Sequence, residues 1–386
     1  MRLLLSGILA LIPIAVLAQP SFTIAPPSDP LDPVFGVARS QIEDVTTAEQ
    51  RSVAVNLIVR AIDHYAMHAR GTPAHILDIS FNAAPSTLFP GGAGQLRETW
   101  ISGQNWRWDA TLADYSLLRI SSNGLVQDQQ APRPVPLRLK MLSNAVFAPL
   151  QFATPRVSPM RTASVLWRGA QITCILLGPQ GSVPGVLAST DIPESAGGRR
   201  WEETEFCIDP STGLLHIYSE APGVYVFYDY SNALKFHDRI LPGAVAIVEN
   251  GAAVIQAQLT SIADTDPANT APFTLTAQMK EQGPAVVLNS PMRMNRLSPS
   301  PNVQEGATVE PTIVHVTLDD QGKVQESELL QRSGVSEQAL ELVTQTKIWP
   351  APEGGGTSPR QREAYIRVEF VPLVMHHQPV GLQLPN

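Results

Sequence analysis

Apolar residues at Ala54, Leu57, Ile58, Ala61, Ile62 and Tyr65 recur at spacings of three and four, the mark of an amphipathic helix. Ahead of them Thr46-Thr47-Ala48-Glu49 has the form of a capping box, with Thr46 and Glu49 exchanging hydrogen bonds, and Gly71 and Pro73 close the run. The pattern predicts a helix over about 47–70. Beyond it the period falls to two. Leu77, Ile79 and Phe81 alternate with Asp78, Ser80 and Asn82, and further strands are predicted over 95–102, 106–112 and 116–121. A second amphipathic segment covers 137–147. Strands resume over 165–167, 172–177, 200–208, 214–219, 224–229, 244–249 and 253–262. The last two flank Asn250-Gly251, the strongest hairpin signal in the chain.

Antiparallel strands with one apolar face need a cover, and two amphipathic helices can supply it. Residues 45–262 are therefore read as a curved antiparallel sheet with covering helices. From 263 to 310 prolines and scattered polar residues predict a linker, with a local strand near Val286-Val287-Leu288. Residues 311–373 read as strand, strand, helix, strand: 313–318, a turn at Asp319-Asp320-Gln321-Gly322, 323–330, a helix opened by Ser336, and a last strand with Ile366, Val368 and Phe370 on one side and Tyr365, Arg367 and Glu369 on the other. The tail at 374–386 is expected to lack structure. The whole is mainly β, with a small α+β unit at its end.

Composition narrows the setting. Met1-Arg2 followed by an apolar run to Ala18 reads as a signal peptide (1–18), too short and too broken by Pro13 for a comfortable span. A proline-rich leader occupies 19–44, in a chain with 34 prolines among 386 residues, about twice ordinary usage. A formal net charge of −8 argues against nucleic acid as a partner. Export favours a disulfide between the only two cysteines, Cys174 and Cys207, the alternatives being buried thiols or a redox pair.

Candidate chemistry is sparse. His64 and His68 fall four apart on the predicted helix and His75 follows, a spacing able to hold zinc. The Glu of a metalloprotease His-Glu-x-x-His is missing, and the plainer reading is histidines on a polar face. Glu203 and Glu205 share one side of a strand and could do acid–base work, or simply face solvent. Trp100, Trp106 and Trp108 could stack a ligand or pack across strands. No P-loop, dinucleotide fingerprint or nucleophile elbow is present, so no catalytic residue, cofactor or metal is assigned and the chain is read as a non-enzyme.

Two resemblances bear on function. Val314 to Val324, Ser333-Gly334, Ala339 and Leu340, Ile348-Trp349-Pro350-Ala351 and Val368-Glu369-Phe370 follow the order of the TonB C-terminal domain family, over about 295–373. That resemblance implies an edge strand, Tyr365, Ile366, Arg367, Val368, Glu369 and Phe370, that captures an extended peptide of an outer-membrane protein by strand addition. The helix–meander–helix–meander order of 45–262, with Gly94–Trp108, Cys207–Leu215 and Tyr228–Ser231, more weakly resembles the half-barrels of LolA-type periplasmic lipoprotein carriers. It implies an apolar cavity for acyl chains. The leading expectation is a periplasmic protein-binding module in envelope transport; the alternative is a carrier of lipid or lipidated protein.

Overall fold

The computed structural model describes residues 40–69, 71–129, 135–147, 149–150, 153–178, 199–285, 287–288, 292–300, 311–319, 321–331, 333–345 and 360–372. The signal segment at 1–18, most of the leader, His376-His377 and the tail lie outside them. No helix among the described residues is long and apolar enough to cross a membrane.

The first part runs β1 (Glu43–Asp44), α1 (Ala48–Tyr65), β2 (His75–Ala83), β3 (Gly92–Ser102), β4 (Asn105–Leu112), β5 (Tyr115–Ser122), β6 (Leu125–Gln129), α2 (Leu137–Phe147), β7 (Met160–Trp167), β8 (Ala170–Leu177), β9 (Thr204–Ile208), β10 (Leu215–Ser219) and β11 (Val224–Asp229). A short ribbon, β12 (Leu234–Phe236) and β13 (Arg239–Leu241), precedes β14 (Ala244–Glu249) and β15 (Ala252–Asp264). Thirteen of these strands form one open antiparallel sheet, in the order β1-β7-β8-β9-β10-β11-β14-β15-β2-β3-β4-β5-β6. The β14–β15 turn has Asn250 and Gly251 both at positive φ (48° and 76°), as the Asn-Gly pair predicted.

One face of this sheet is apolar and carries α1 and α2, which contribute Leu57, Ile58, Ala61, Leu142 and Val146 to a core shared with Leu77, Ile79, Leu96 and Val245. On the other face a smaller cluster packs Trp167 flat on Phe227 at 5.2 Å around the Cys174–Cys207 bridge, which joins directly paired residues of β8 and β9.

Helix α1 differs from expectation at both ends. Its N-cap is Thr47, reciprocated by Gln50 and not Glu49, because the Ser/Thr-x-x-Glu/Gln pattern fits equally well one residue on. It stops at Tyr65 and not near 70. There the chain turns inward to bury Met67 completely, and the Thr72 hydroxyl donates to the freed Ala66 carbonyl. Glu203 and Glu205 are not on a solvated face; they are buried against Arg161 and Arg199.

After the short α3 (Ala277–Gln282), the second part comprises β16 (Val287–Leu288), β17 (Met292–Ser300), β18 (Thr312–Leu318), β19 (Val324–Gln331), α4 (Ser336–Gln345) and β20 (Arg360–Pro372). The strand–strand–helix–strand order is the expected one. The edge is not. Strand β20 is internal: β18 pairs Arg362 to Val368 on one side, and β17 runs parallel along Ala364 to Pro372 on the other. Tyr365, Ile366, Arg367 and Val368 are thus flanked on both sides by the chain's own strands and Glu369 and Phe370 on the β17 side, the segment read as linker supplying that closing strand. Pro299 hid it, yet proline is tolerated on an edge strand.

Both faces of this second sheet are covered. Val314, Val316, Ile366 and Val368 pack beneath Ala339 and Val343 of α4. Ile313, Leu330 and Tyr365 join the core of the large sheet. Tyr365 and Arg367, expected outside, are each 3% exposed.

A chain of charged groups crosses this seam. His315 Nδ1 donates to Glu249 at 3.0 Å and Nε2 donates to Glu363 at 2.9 Å. Arg138 of α2 pairs with Glu249 and, at 3.5 Å, with Glu328. Glu326 accepts from Ser86 Oγ at 2.6 Å and from the Leu137 amide at the start of α2. Burial alone would drive His315 to lose its proton, but hydrogen bonds to two carboxylates outweigh it and hold the pKa up at about 9. Glu220 also moves up, but toward its neutral form: burial and the neighbouring Glu363 raise it to about 7.

A folded pKa of about 9 against an ordinary 6.5 contributes stability that is complete below 6.5 and lost as pH rises through 9. The shift corresponds to about 3 kcal/mol. Urea unfolding of wild type and His315→Gln at pH 6.5, 8 and 10 should show a gap that narrows with rising pH; a constant gap would contradict the doubly donating imidazolium.

Candidate functional site

Strand alternation places Leu96, Glu98 and Trp100 of β3 on the face that meets the helices. Opposite them in register lie Ile79, Leu77 and His75 of β2, and Ala110, Trp108 and Trp106 of β4. A carboxylate therefore points into an apolar core, completely buried. It survives there because donors converge on it. Trp108 Nε1 donates to Oε1 at 2.6 Å, and His68 Nε2 lies 2.9 and 3.1 Å from the two oxygens. His75 Nε2 stands 3.4 Å from Oε2, while its Nδ1–H donates to the Pro73 carbonyl. Desolvation pushes Glu98 up, yet the charge and hydrogen bonds of His68 and His75 overcome it and hold the pKa down at about 2.

An ionised carboxylate only accepts, so His68 must present Nε2–H to it, which leaves Nδ1 as the atom free to change. The imidazole lies flat between Trp100, at 4.1 Å and 6°, and Phe147, at 5.0 Å and 8°. With both faces covered and Nε2 taken, the open quarter of the side chain is the remaining rim, where Nδ1 has no hydrogen-bond partner among the described residues.

That rim borders a cavity of about 390 Å³. Ile62, Tyr65 and Ala66 at the end of α1 form one wall, and Phe147, Leu150 and Ala153 at and beyond the end of α2 form the other. The helices are pinned around it: Tyr65 and Tyr228, edge-to-face at 5.4 Å, both donate through their hydroxyls to the Ala145 carbonyl in the last turn of α2. The volume lies at the low end of the range that holds one drug-sized ligand. Two larger hollows lie elsewhere: one beside Pro210, where Val45, Val53, Ala54 and Leu57 line it together with Glu49 and Arg60, and one over Asp78, Arg97 and Asp109, whose walls are mainly polar.

Of the three histidines singled out by spacing, the structure brings His68 and His75 together and leaves His64 beside the 209–213 turn. They converge on a carboxylate and not on a shared point for zinc. Among the described residues, the close grouping of Cys, Glu and Cys at 174, 205 and 207 has both sulfurs in the disulfide. The tryptophans pack across strands, Trp100 opposite Trp106, with Trp108 also a donor to Glu98. Glu98 itself escaped notice, although its signal was present: it occupies the apolar phase between Leu96 and Trp100.

No family model and no curated protein matches the chain. Among solved structures it is similar to a domain assigned as an outer membrane lipoprotein-sorting protein from Vibrio parahaemolyticus, at 9% identity over 59% of this chain and 97% of that one, with a TM-score of 0.36. A LolA superfamily protein from Nitrosomonas europaea matches at 10% identity over 57% and 97%, TM-score 0.36. A DUF1329 family protein from Desulfovibrio piger matches at 9% over 58% and 95%, TM-score 0.35. None of the three is a TonB protein.

The Glu98 shift gives a pH signature. A carboxyl lowered from 4.5 to about 2 contributes stability that is present above 4.5 and lost as pH falls through 2. Wild type should exceed Glu98→Gln by about 3 kcal/mol near neutrality in urea unfolding, and the difference should shrink between pH 4.5 and 2. A difference that does not change with pH would mean that Glu98 is not held as an ion.

Proposed function

We propose that this protein binds and carries a molecule by one acyl chain, held in the cavity between the ends of α1 and α2. The observation that carries the reading is the cavity itself: about 390 Å³, walled largely by aliphatic and aromatic side chains, between the ends of two helices that lie on the apolar sheet face. Filling it with hydrocarbon removes apolar wall from water at about 25 cal/mol per Å². A single chain, from a lipid or a lipidated protein, suits the volume. The signal segment read from the sequence would place the protein in the cell envelope, where such molecules cross an aqueous gap. Peptide capture along Tyr365–Phe370 is not carried forward, because β17 lies along all of it and β18 along Tyr365 to Val368.

Narrowing the cavity tests the reading. Ala66→Trp puts an indole into the opening while keeping the Ala66 amide bond to Ile62. Wild type should bind N-phenylnaphthylamine and release it to dodecyl-chain competitors, whereas the Ala66→Trp protein, unchanged in thermal melting, should bind the probe at least tenfold more weakly. Equal binding by both proteins would exclude this cavity as the site.

A further inference from the structure

Among the described residues lining the cavity the polar side chains are Tyr65, whose hydroxyl is spent on the Ala145 carbonyl, and His68. His68 Nδ1 stands at its wall unpartnered, with the ring fixed by Trp100 and Phe147 and its tautomer fixed by Glu98. A pure hydrocarbon filling the cavity would bury that nitrogen without a partner, which weakens binding by a factor of about ten or more. An occupant that brings a polar atom to Nδ1 is therefore preferred over one that does not.

Which head suits it follows from counting donors. With Nε2–H spent on Glu98, Nδ1 offers one lone pair in the neutral ring and one N–H in the imidazolium. A primary ammonium would satisfy it with one N–H and leave two more facing apolar walls. An alcohol would supply a single neutral hydrogen bond. A carboxylic acid donates its O–H to Nδ1 and can pass the proton across, giving an imidazolium–carboxylate pair whose hydrogen bond is about twice as strong as a neutral one. Either way the ring ends between two carboxyl groups, Glu98 on Nε2 and the head of the ligand on Nδ1. The titratable and charged groups packed around His68 among the described residues are Glu98 on β3, His75 on β2, Tyr65 on α1 and, through Thr72, Arg239 on β13.

We infer that the cavity selects a single-chain carboxylic acid, whose head meets His68 Nδ1 and shares one proton with it. This rests on the acyl-chain reading above and narrows it from any chain to a free acid. Because the pair holds a proton that the free carboxylate lacks, uptake is proton-coupled, and affinity for the acid falls as pH rises.

Competition against bound N-phenylnaphthylamine on the full chain, using dodecanoic acid, dodecanol and dodecylamine at pH 6 and pH 8, reads this directly. In wild type the acid should displace the probe at about tenfold lower concentration than the alcohol at pH 6. That advantage should fade by pH 8. In His68→Phe, which keeps the aromatic stack but has no Nδ1, acid and alcohol should compete equally at both pH values. An acid preference that is absent from wild type, or persists in His68→Phe, overturns the assignment. Failure of all three chains to displace the probe from wild type would instead overturn the acyl-chain reading itself. If His68→Phe does not fold, ¹⁵N-histidine NMR of wild type decides: dodecanoic acid should move the His68 Nδ1 resonance from the lone-pair to the protonated range, and an unmoved resonance refutes the contact.

Discussion

An open antiparallel sheet with one apolar face cannot stay uncovered in water, and the arrangement of this chain follows from how that face is closed. Helix α1 lies over one part, held at its N-terminus by the Thr47–Gln50 box. Helix α2 covers another, its last turn anchored by two tyrosine hydroxyls on one carbonyl. The second sheet closes part of the remainder by laying Ile313, Leu330 and Tyr365 into the same core. Its approach is close: a Cβ on Gly223 would stand 2.5 Å from the Leu330 carbonyl oxygen, and Gly223 has φ of +89°, so only glycine serves there. Between the ends of α1 and α2 the described residues leave the cavity.

Burying so much sheet also takes carboxylates out of water, and each survives through the donors around it. Glu98 relies on Trp108, His68 and His75, and Glu249 on Arg138 and His315. The two sets have different consequences. At the seam, His315 uses both nitrogens on carboxylates, so the interaction ties the second sheet to the first and leaves no atom for a ligand. At the cavity, His68 spends one nitrogen on Glu98 and keeps the other. Nearly the same pair of side chains is thereby structural in one place and available for recognition in the other.

Much of this was legible from residue patterns. The period of two located most of the large sheet, Asn250-Gly251 fixed one hairpin, and the helix at 137–147 has the bounds of α2, Leu137–Phe147. The Cys174–Cys207 bridge followed from export and cysteine number and is present. What escaped depended on contacts distant in sequence. Strand β17 has no β-branched residue and contains Pro299, so only its pairing with β20 reveals it. The inward turn after Tyr65 depends on Thr72 and on the aromatic slot that receives His68. Helical spacing grouped His64 with His68, whereas the sheet register groups His68 with His75 and Glu98.

The most direct test of the cavity as an acyl-chain site is a crystal structure of the protein grown with 12-bromododecanoic acid, read by the anomalous signal of bromine. The account predicts one strong peak inside the cavity, in contact with Ile62, Tyr65, Phe147 and Leu150. A cavity without bromine, with the signal confined to the hollow beside Glu49 and Arg60 or to the molecular surface, would contradict it.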